Sequence, residues 1–295
     1  MLVLSLCALL AFEPARDDRS RAIERVEWAK KLESRGHTAG AIRALREAIA
    51  YDYSYATAHY VMGQVLRNEG RLQDARMAFE SAAQEAGADD PLGIEVAFQL
   101  AAVFSALSDA PGQTFADRGE LKKTAIQRLD EVLRRDASRY RALARRAQLH
   151  RWFDDPTAAN ADLRRCVELK PSYSPCLVEL AQLYVDYGFV DEATAVLDVG
   201  LAFNENDAIM FAGAGKVHLE AGHPVTALEL FKGAAELDPD LMEARFGLGM
   251  THARLNHRAE AVEHLQAFLA RVGNDGPESE RRAATMTIAR MQDVI

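Results

Sequence analysis

Residues able to do chemistry are few, and the densest group of them is cationic. Arg141, Arg145, Gln148 and Arg151 follow one another at spacings of 4, 3 and 3, with Trp152 beside them. Such spacings put all four polar side chains on one face of a helix. Guanidinium forks match carboxylates in two-point geometry, and a side-chain amide can bond an extended backbone. The face therefore suits an acidic or C-terminal peptide segment. The competing expectation is that these arginines pair with Asp154, Asp155 or Glu179 and only solvate the surface.

Other chemistry is sparse. Cys166 and Cys176 stand ten residues apart, so they either form a disulfide or stay as two buried thiols. Five of the eight histidines fall late, at His218, His223, His252, His257 and His264. Zinc needs ligands converging at about 2 Å, whereas packed helices lie about 8–10 Å apart, so these read as packing or surface groups rather than a metal site. The sequence has no HExxH, no CxxC, no Gly-rich phosphate loop, no nucleophile elbow and no paired-carboxylate arrangement. Neither an enzyme activity nor a cofactor is expected. Asp154 and Asp155 precede Pro156, where helix capping accounts for them.

These residues must be positioned by a repeat. Stepping by 34 residues from Ala227 lands on Ala193 and Ala159 backwards and on Ala261 forwards. Past a 12-residue irregularity the same mark falls on Ala125, Ala75 and Ala41. Twelve residues before the mark stand Ala29, Gly63, Ala147, Ala181, Gly215 and Gly249, and Ala101 takes that role in the irregular unit. Four residues after it stand Leu45, Phe79, Leu129, Leu163, Leu197, Phe231 and Leu265. A small residue lets two helix backbones approach, and a large apolar one a turn later fills the space beside the crossing. No single helix pair can bury its apolar face alone, so the pairs must stack.

This pattern resembles the tetratricopeptide repeat family. Residues 208–241 carry Phe211, Gly215, Ala227, Phe231, Ala234 and Pro239 at that family's spacing, and Lys170-Pro171 and Asp238-Pro239 end their units alike. The resemblance implies an all-α fold, an α-α superhelix: a right-handed solenoid of antiparallel helix pairs. The expected organisation is an N-terminal segment over 1–21, seven units over 22–275 and a C-terminal capping helix over 276–295.

Within the array, Ser108–Gly119 is expected to lengthen the inner turn of unit three by 12 residues, with Phe115 as an anchor to watch. Ser174-Pro175 reads as a cap followed by a first-turn proline, and Asp240 with Glu243 has capping-box spacing.

The resemblance further implies a non-catalytic scaffold whose first helices line a concave groove. Carried over position by position, the groove residues are Arg141, Arg145, Gln148, Arg151 and Trp152. Lys30, Gln64, Gln182 and Lys216 occupy the slot of Gln148, and Tyr60 and Phe98 add aromatic surface. Relatives that hold chaperone tails use a fixed lysine-asparagine set across three units, which this chain lacks. A cytosolic regulatory or co-chaperone-like peptide binder is thus the alternative, and an accessory part of an enzyme complex a third reading. The expected partner is a protein or peptide segment, with no small-molecule substrate evident.

Net charge is −9, which gives no general affinity for nucleic acid. Residues 122–170 nevertheless carry 13 basic and 7 acidic groups, between acidic flanks. At the start, MLVLSLCALLAF is apolar over about 18 Å as a helix, too short to span a bilayer. It is similar to the apolar core of a secretory signal, though without the preceding positive charges. Export or membrane association, with a role in assembling a cell-envelope complex, is one expectation; a helix packed on the first repeat in a cytoplasmic protein is the other.

Overall fold

The computed structural model describes residues 17–87, 90–273 and 277–292. The apolar run from Met1 to Phe12, with the expected signal segment and Cys7, lies outside the described residues. Fifteen helices and no strands are found among the described residues. Contacts gather them into two compact units, one ending at Ala137 and the other beginning at Ser138.

The first unit holds three helix pairs: α1 (Asp18–Glu33) with α2 (Thr38–Tyr51), α3 (Ala56–Asn68) with α4 (Leu72–Glu85), and α5 (Pro91–Ser108) with α6 (Phe115–Arg135). The second holds four: α7 (Tyr140–Trp152) with α8 (Pro156–Leu169), α9 (Ser174–Asp186) with α10 (Val190–Phe203), α11 (Ala208–Glu220) with α12 (Pro224–Leu237), and α13 (Met242–Arg254) with α14 (Arg258–Val272). A last helix, α15 (Glu278–Gln292), packs on α13 and α14, where the first helix of another pair would sit. Within each unit the first helices also touch one another, α1 to α3 to α5 and α7 to α9 to α11 to α13 to α15. They line one face and the second helices the other.

The 34-residue marks explain this packing. All seven marked alanines, Ala41 to Ala261, have no exposed surface, and the large residues four positions on are buried. Glycine permits the tightest crossings. A Cβ on Gly63 would stand 2.7 Å from the Phe79 ring, and one on Gly249 would stand 2.6 Å from Leu265. Each pair reverses through a residue with positive φ. Gly36, Gly70, Gly188 and Gly222 supply it in four pairs, and Asp154 and Asn256, types that tolerate this region, in two others.

Three local expectations change. The irregular stretch of unit three is half helix: α5 runs through Ser108, and α6 already starts at Phe115. A capping box forms between Thr114 and Asp117, Gly112 turns the chain at φ 85°, and so only residues 109–114 remain as turn. The buried Lys122 Nζ reaches back 2.9 Å to Asp109 Oδ1 and fastens it. Ser174 is not a cap, because Tyr173 holds that position; the Ser174 hydroxyl donates to Asp207, which itself caps α11. Asp240 makes no capping box with Glu243, since α13 begins after Leu241, and Asp240 instead pairs with Arg271 at 3.0 Å. Asp155 does cap its helix, accepting from the Ala158 amide at 3.0 Å.

By length and composition α5 is apolar enough to cross a membrane, but half of it is buried within its unit.

Candidate functional site

The sequence-predicted residues divide between the two units. In the first, Gln64 Nε2 donates to the Tyr60 hydroxyl at 2.8 Å, and the Tyr60 ring lies 5.8 Å from Phe79. Phe98 is half-buried on α5, and the exposed Lys30 pairs with Glu27 on its own helix. Phe115 is 80% exposed at the start of α6.

In the second unit, α7 presents Arg141 and Gln148 as exposed and Arg145 and Arg151 as partly buried. Arg151 is engaged within the protein. Its guanidinium bonds Glu179 and also Asp186 at 2.7 Å, while Gln148 donates to Glu179 at 3.2 Å. Trp152 stands edge-on to Phe153 at 4.7 Å. Gln148, Arg151 and Trp152 share a cavity of about 630 Å³ with Leu183 and Tyr187, whose hydroxyl donates to Asp154 at 3.2 Å. Desolvation, then the Asp154 bond, holds the Tyr187 phenol above its ordinary range. Gln182 is buried and donates to Asp186 and Glu220.

One relation recurs. Arg67 on α3 bonds Gln99 on α5, just as Arg151 on α7 bonds Glu179 on α9. Both arginines stand four residues after the small crossing residue, Gly63 or Ala147, and both acceptors stand two before the next one, Ala101 or Ala181. This rung ties neighbouring first helices. For Arg151 this is the competing expectation, a pairing with Glu179; Arg67 carried no expectation from the sequence. The corresponding positions further on are Val185 with Gly213, and Leu219 with Gly247. No polar rung can form there.

Where the rung is missing, a second cavity of about 560 Å³ opens along α9, α11, α13 and α15. Val178, Ile209, Leu219, Phe231, Phe246 and Met250 line it, with Val178 packed over Gly213 and the Phe231 ring over Gly247. Lys216, expected from the sequence as a groove residue, lies at its edge with Glu179, Glu220, Glu243, Arg254 and Glu280. Burial first, and the Glu243 carboxylate second, hold the Glu280 carboxyl above its ordinary range; Lys216 opposes them.

The late histidines do meet in part. His252 Nδ1 lies 3.2 Å from His257 Nδ1, and the His264 ring stacks on His252 at 5.4 Å. His218 and His223 repeat the first contact one unit earlier, at 5.8 Å between ring centres. No group of three or more ligands arranged to hold a metal ion occurs among the described residues. Cys166 and Cys176 are bonded, with both residues fully buried between α8 and α9. Ten-residue partners at the same places in the next units are Gly200 with Met210 and Ala234 with Ala244. A Cβ on Gly200 would collide with the Met210 methyl, so the space bridged by sulfur in one unit is filled by thioether in the next.

Stacked helix pairs with a lined first-helix face define a helical-repeat interaction scaffold. The chain is a tetratricopeptide-repeat protein: profiles of the tetratricopeptide repeat match residues 26–91 and 218–281. A tetratricopeptide repeat protein from Parabacteroides merdae superposes with a TM-score of 0.72 at 15% identity, covering 91% of this chain and 99% of that one. PilF from Pseudomonas aeruginosa (TM-score 0.58, 17% identity, 78% of this chain and 97% of that one) has the same fold. So does PilW, a type IV pilus biogenesis factor (0.58, 16%, 76% and 96%). The TPR repeat-containing protein YpiA of Bacillus subtilis is 26% identical over 114 residues, 39% of this chain, which thus spans only 26% of that relative.

Proposed function

We propose that this protein is a non-catalytic scaffold that holds a segment of a partner protein on the first-helix face of residues 138–292. The observation that carries the reading is the 560 Å³ cavity, whose size and apolar lining with polar edges fit the general character of binding sites. Assembly of a cell-envelope complex, by an exported or membrane-associated protein, is the cellular setting; fold likeness to a pilus biogenesis factor and the apolar N-terminal run support it. A second reading, an acidic segment on Arg141, Arg145, Gln148 and Arg151, draws support from the basic excess of residues 122–170. Glu179 and Asp186 compete with such a ligand for Arg151, so the apolar cavity is the stronger site.

The test is retention of partners by tagged protein from the native host, compared between wild type and Ile209→Arg/Met250→Arg. Ile209 is 62% exposed, so arginine there need not enter the core. The expected result is a defined set of proteins lost from the double variant while its helical circular dichroism is unchanged. Equal retention by both would refute the reading.

A further inference from the structure

The cavity between α9, α11, α13 and α15 is acidic at its edge as well as apolar within, and we propose that its occupant is a cationic apolar segment of a partner protein: bulky aliphatic or aromatic side chains flanked by arginine or lysine. This rests on the scaffold reading above and specifies the partner's chemistry.

The apolar part follows from the missing rung. In two other places an arginine crosses from one first helix to the next and fills the space between them. Here the repeat-equivalent positions hold Leu219 with Gly247 and Val185 with Gly213, so no arginine crosses, and Val178, Leu219 and Phe231 line an open apolar cavity. Bulky side chains of a partner can enter between Val178, Leu219 and Phe231 and cover Ile209, Phe246 and Met250, gaining burial of apolar area.

The cationic part follows from the charges at the edge. Four carboxylates, Glu179, Glu220, Glu243 and Glu280, face two cations, Lys216 and Arg254. Glu179 is engaged by Arg151 and Gln148, and Glu220 by Gln182. Glu243 and Glu280 make no hydrogen bond or ion pair among the described residues, yet Glu243 is close enough to disfavour the ionisation of Glu280, which burial already raises. Arg281 and Arg282 follow Glu280 on α15 but line a different cavity, with Leu269 and Thr285. A guanidinium or ammonium from the partner would relieve this like-charge contact, whereas an acidic group would add to it.

The experiment uses the full chain and two fluorescein-labelled synthetic 12-residue peptides of identical leucine and phenylalanine content. One carries three arginines and the other three glutamates. Anisotropy titrations at low salt should show the arginine peptide binding about ten-fold tighter or more. In Glu243→Gln/Glu280→Gln that preference should fall below about three-fold, and in Ile209→Arg/Met250→Arg both peptides should lose affinity. Equal or tighter binding of the glutamate peptide overturns the charge assignment, as does a preference that survives removal of both carboxylates. A concentration-dependent dimer in sedimentation that Ile209→Arg/Met250→Arg abolishes also overturns it, because the occupant is then a second copy. Should partner retention depend on Ile209 and Met250 while the peptides bind alike, the charge rule fails and the scaffold reading survives. If the double variant alters neither, both fall.

Discussion

The ring of Phe231 lies wedged between two glycines of successive first helices, Gly215 of its own pair and Gly247 of the next. A Cβ on Gly215 would stand 3.1 Å from that ring, and one on Gly247 would stand closer still. Phe231 is 3% exposed and has nowhere to retreat. Gly247→Ala should therefore destabilise the second unit by about 1–3 kcal/mol, the usual cost of overpacking a filled core, despite alanine's better helix propensity. Chemical denaturation monitored by circular dichroism checks this; a stabilised variant would show that the ring has room to move.

Thr251 makes the opposite case. It has no exposed surface, and its hydroxyl oxygen is among the buried polar atoms without a hydrogen-bond partner. The positions one, two and three repeats earlier are Val217, Leu183 and Leu149, all buried. Thr251→Val removes the unsatisfied hydroxyl at nearly constant shape, and stability should rise by about 1 kcal/mol. Differential scanning calorimetry would show an increase of about 2–4 °C in the transition of that unit. A lower Tm would mean that the hydroxyl is satisfied in solution.

The Cys166–Cys176 bond joins the second helix of one pair to the first helix of the next. Reducing it, or replacing both cysteines by alanine, frees a loop of about ten residues in the unfolded chain and should cost about 2–3 kcal/mol. Thiol titration of the native oxidised protein should find neither Cys166 nor Cys176 reactive, and dithiothreitol should lower the Tm of the second unit by about 5–10 °C. Unchanged Tm on complete reduction would place the contact among packing contacts of no special strength, like Gly200 with Met210.

His218 and His252 set a pH dependence. Burial, foremost, lowers both below the ordinary histidine value of 6.5, assisted by His223 in the first case and by His264 in the second. The folded protein thus binds fewer protons than the unfolded chain in that range. Stability is full above 6.5 and is lost as pH falls towards the lowered folded values. Tm should drop between about pH 7.5 and about pH 5.8 by more in wild type than in His218→Gln/His252→Gln. Equal slopes would assign the acid sensitivity to other groups.

How far the sequence could be read follows from what a repeat is. Small residues at the crossings, large ones a turn later and a period of 34 residues are local in sequence and act between adjacent helices. They therefore specified the helix pairs, the all-α stack and the burial of every marked alanine from Ala41 to Ala261. Capping was less legible. Ser174 and Asp240 have the right residue types, but each helix starts where its packed neighbour allows, and both side chains found partners elsewhere, in Asp207 and Arg271.

Which charges pair, and where cavities open, was decided by the tertiary structure. Arg151 and Glu179 lie 28 residues apart; the sequence offered both a ligand and Glu179 as partners, and the stacking of α7 against α9 decides for Glu179. Likewise Gly213 and Gly247 carried no expectation from the sequence, yet at the places where Gln99 and Glu179 accept an arginine they offer no acceptor, and an apolar cavity opens beside them. Periodic core contacts are written into each 34-residue stretch. Which polar groups satisfy one another, and where a gap remains between them, depends on distances between helices that no single stretch contains.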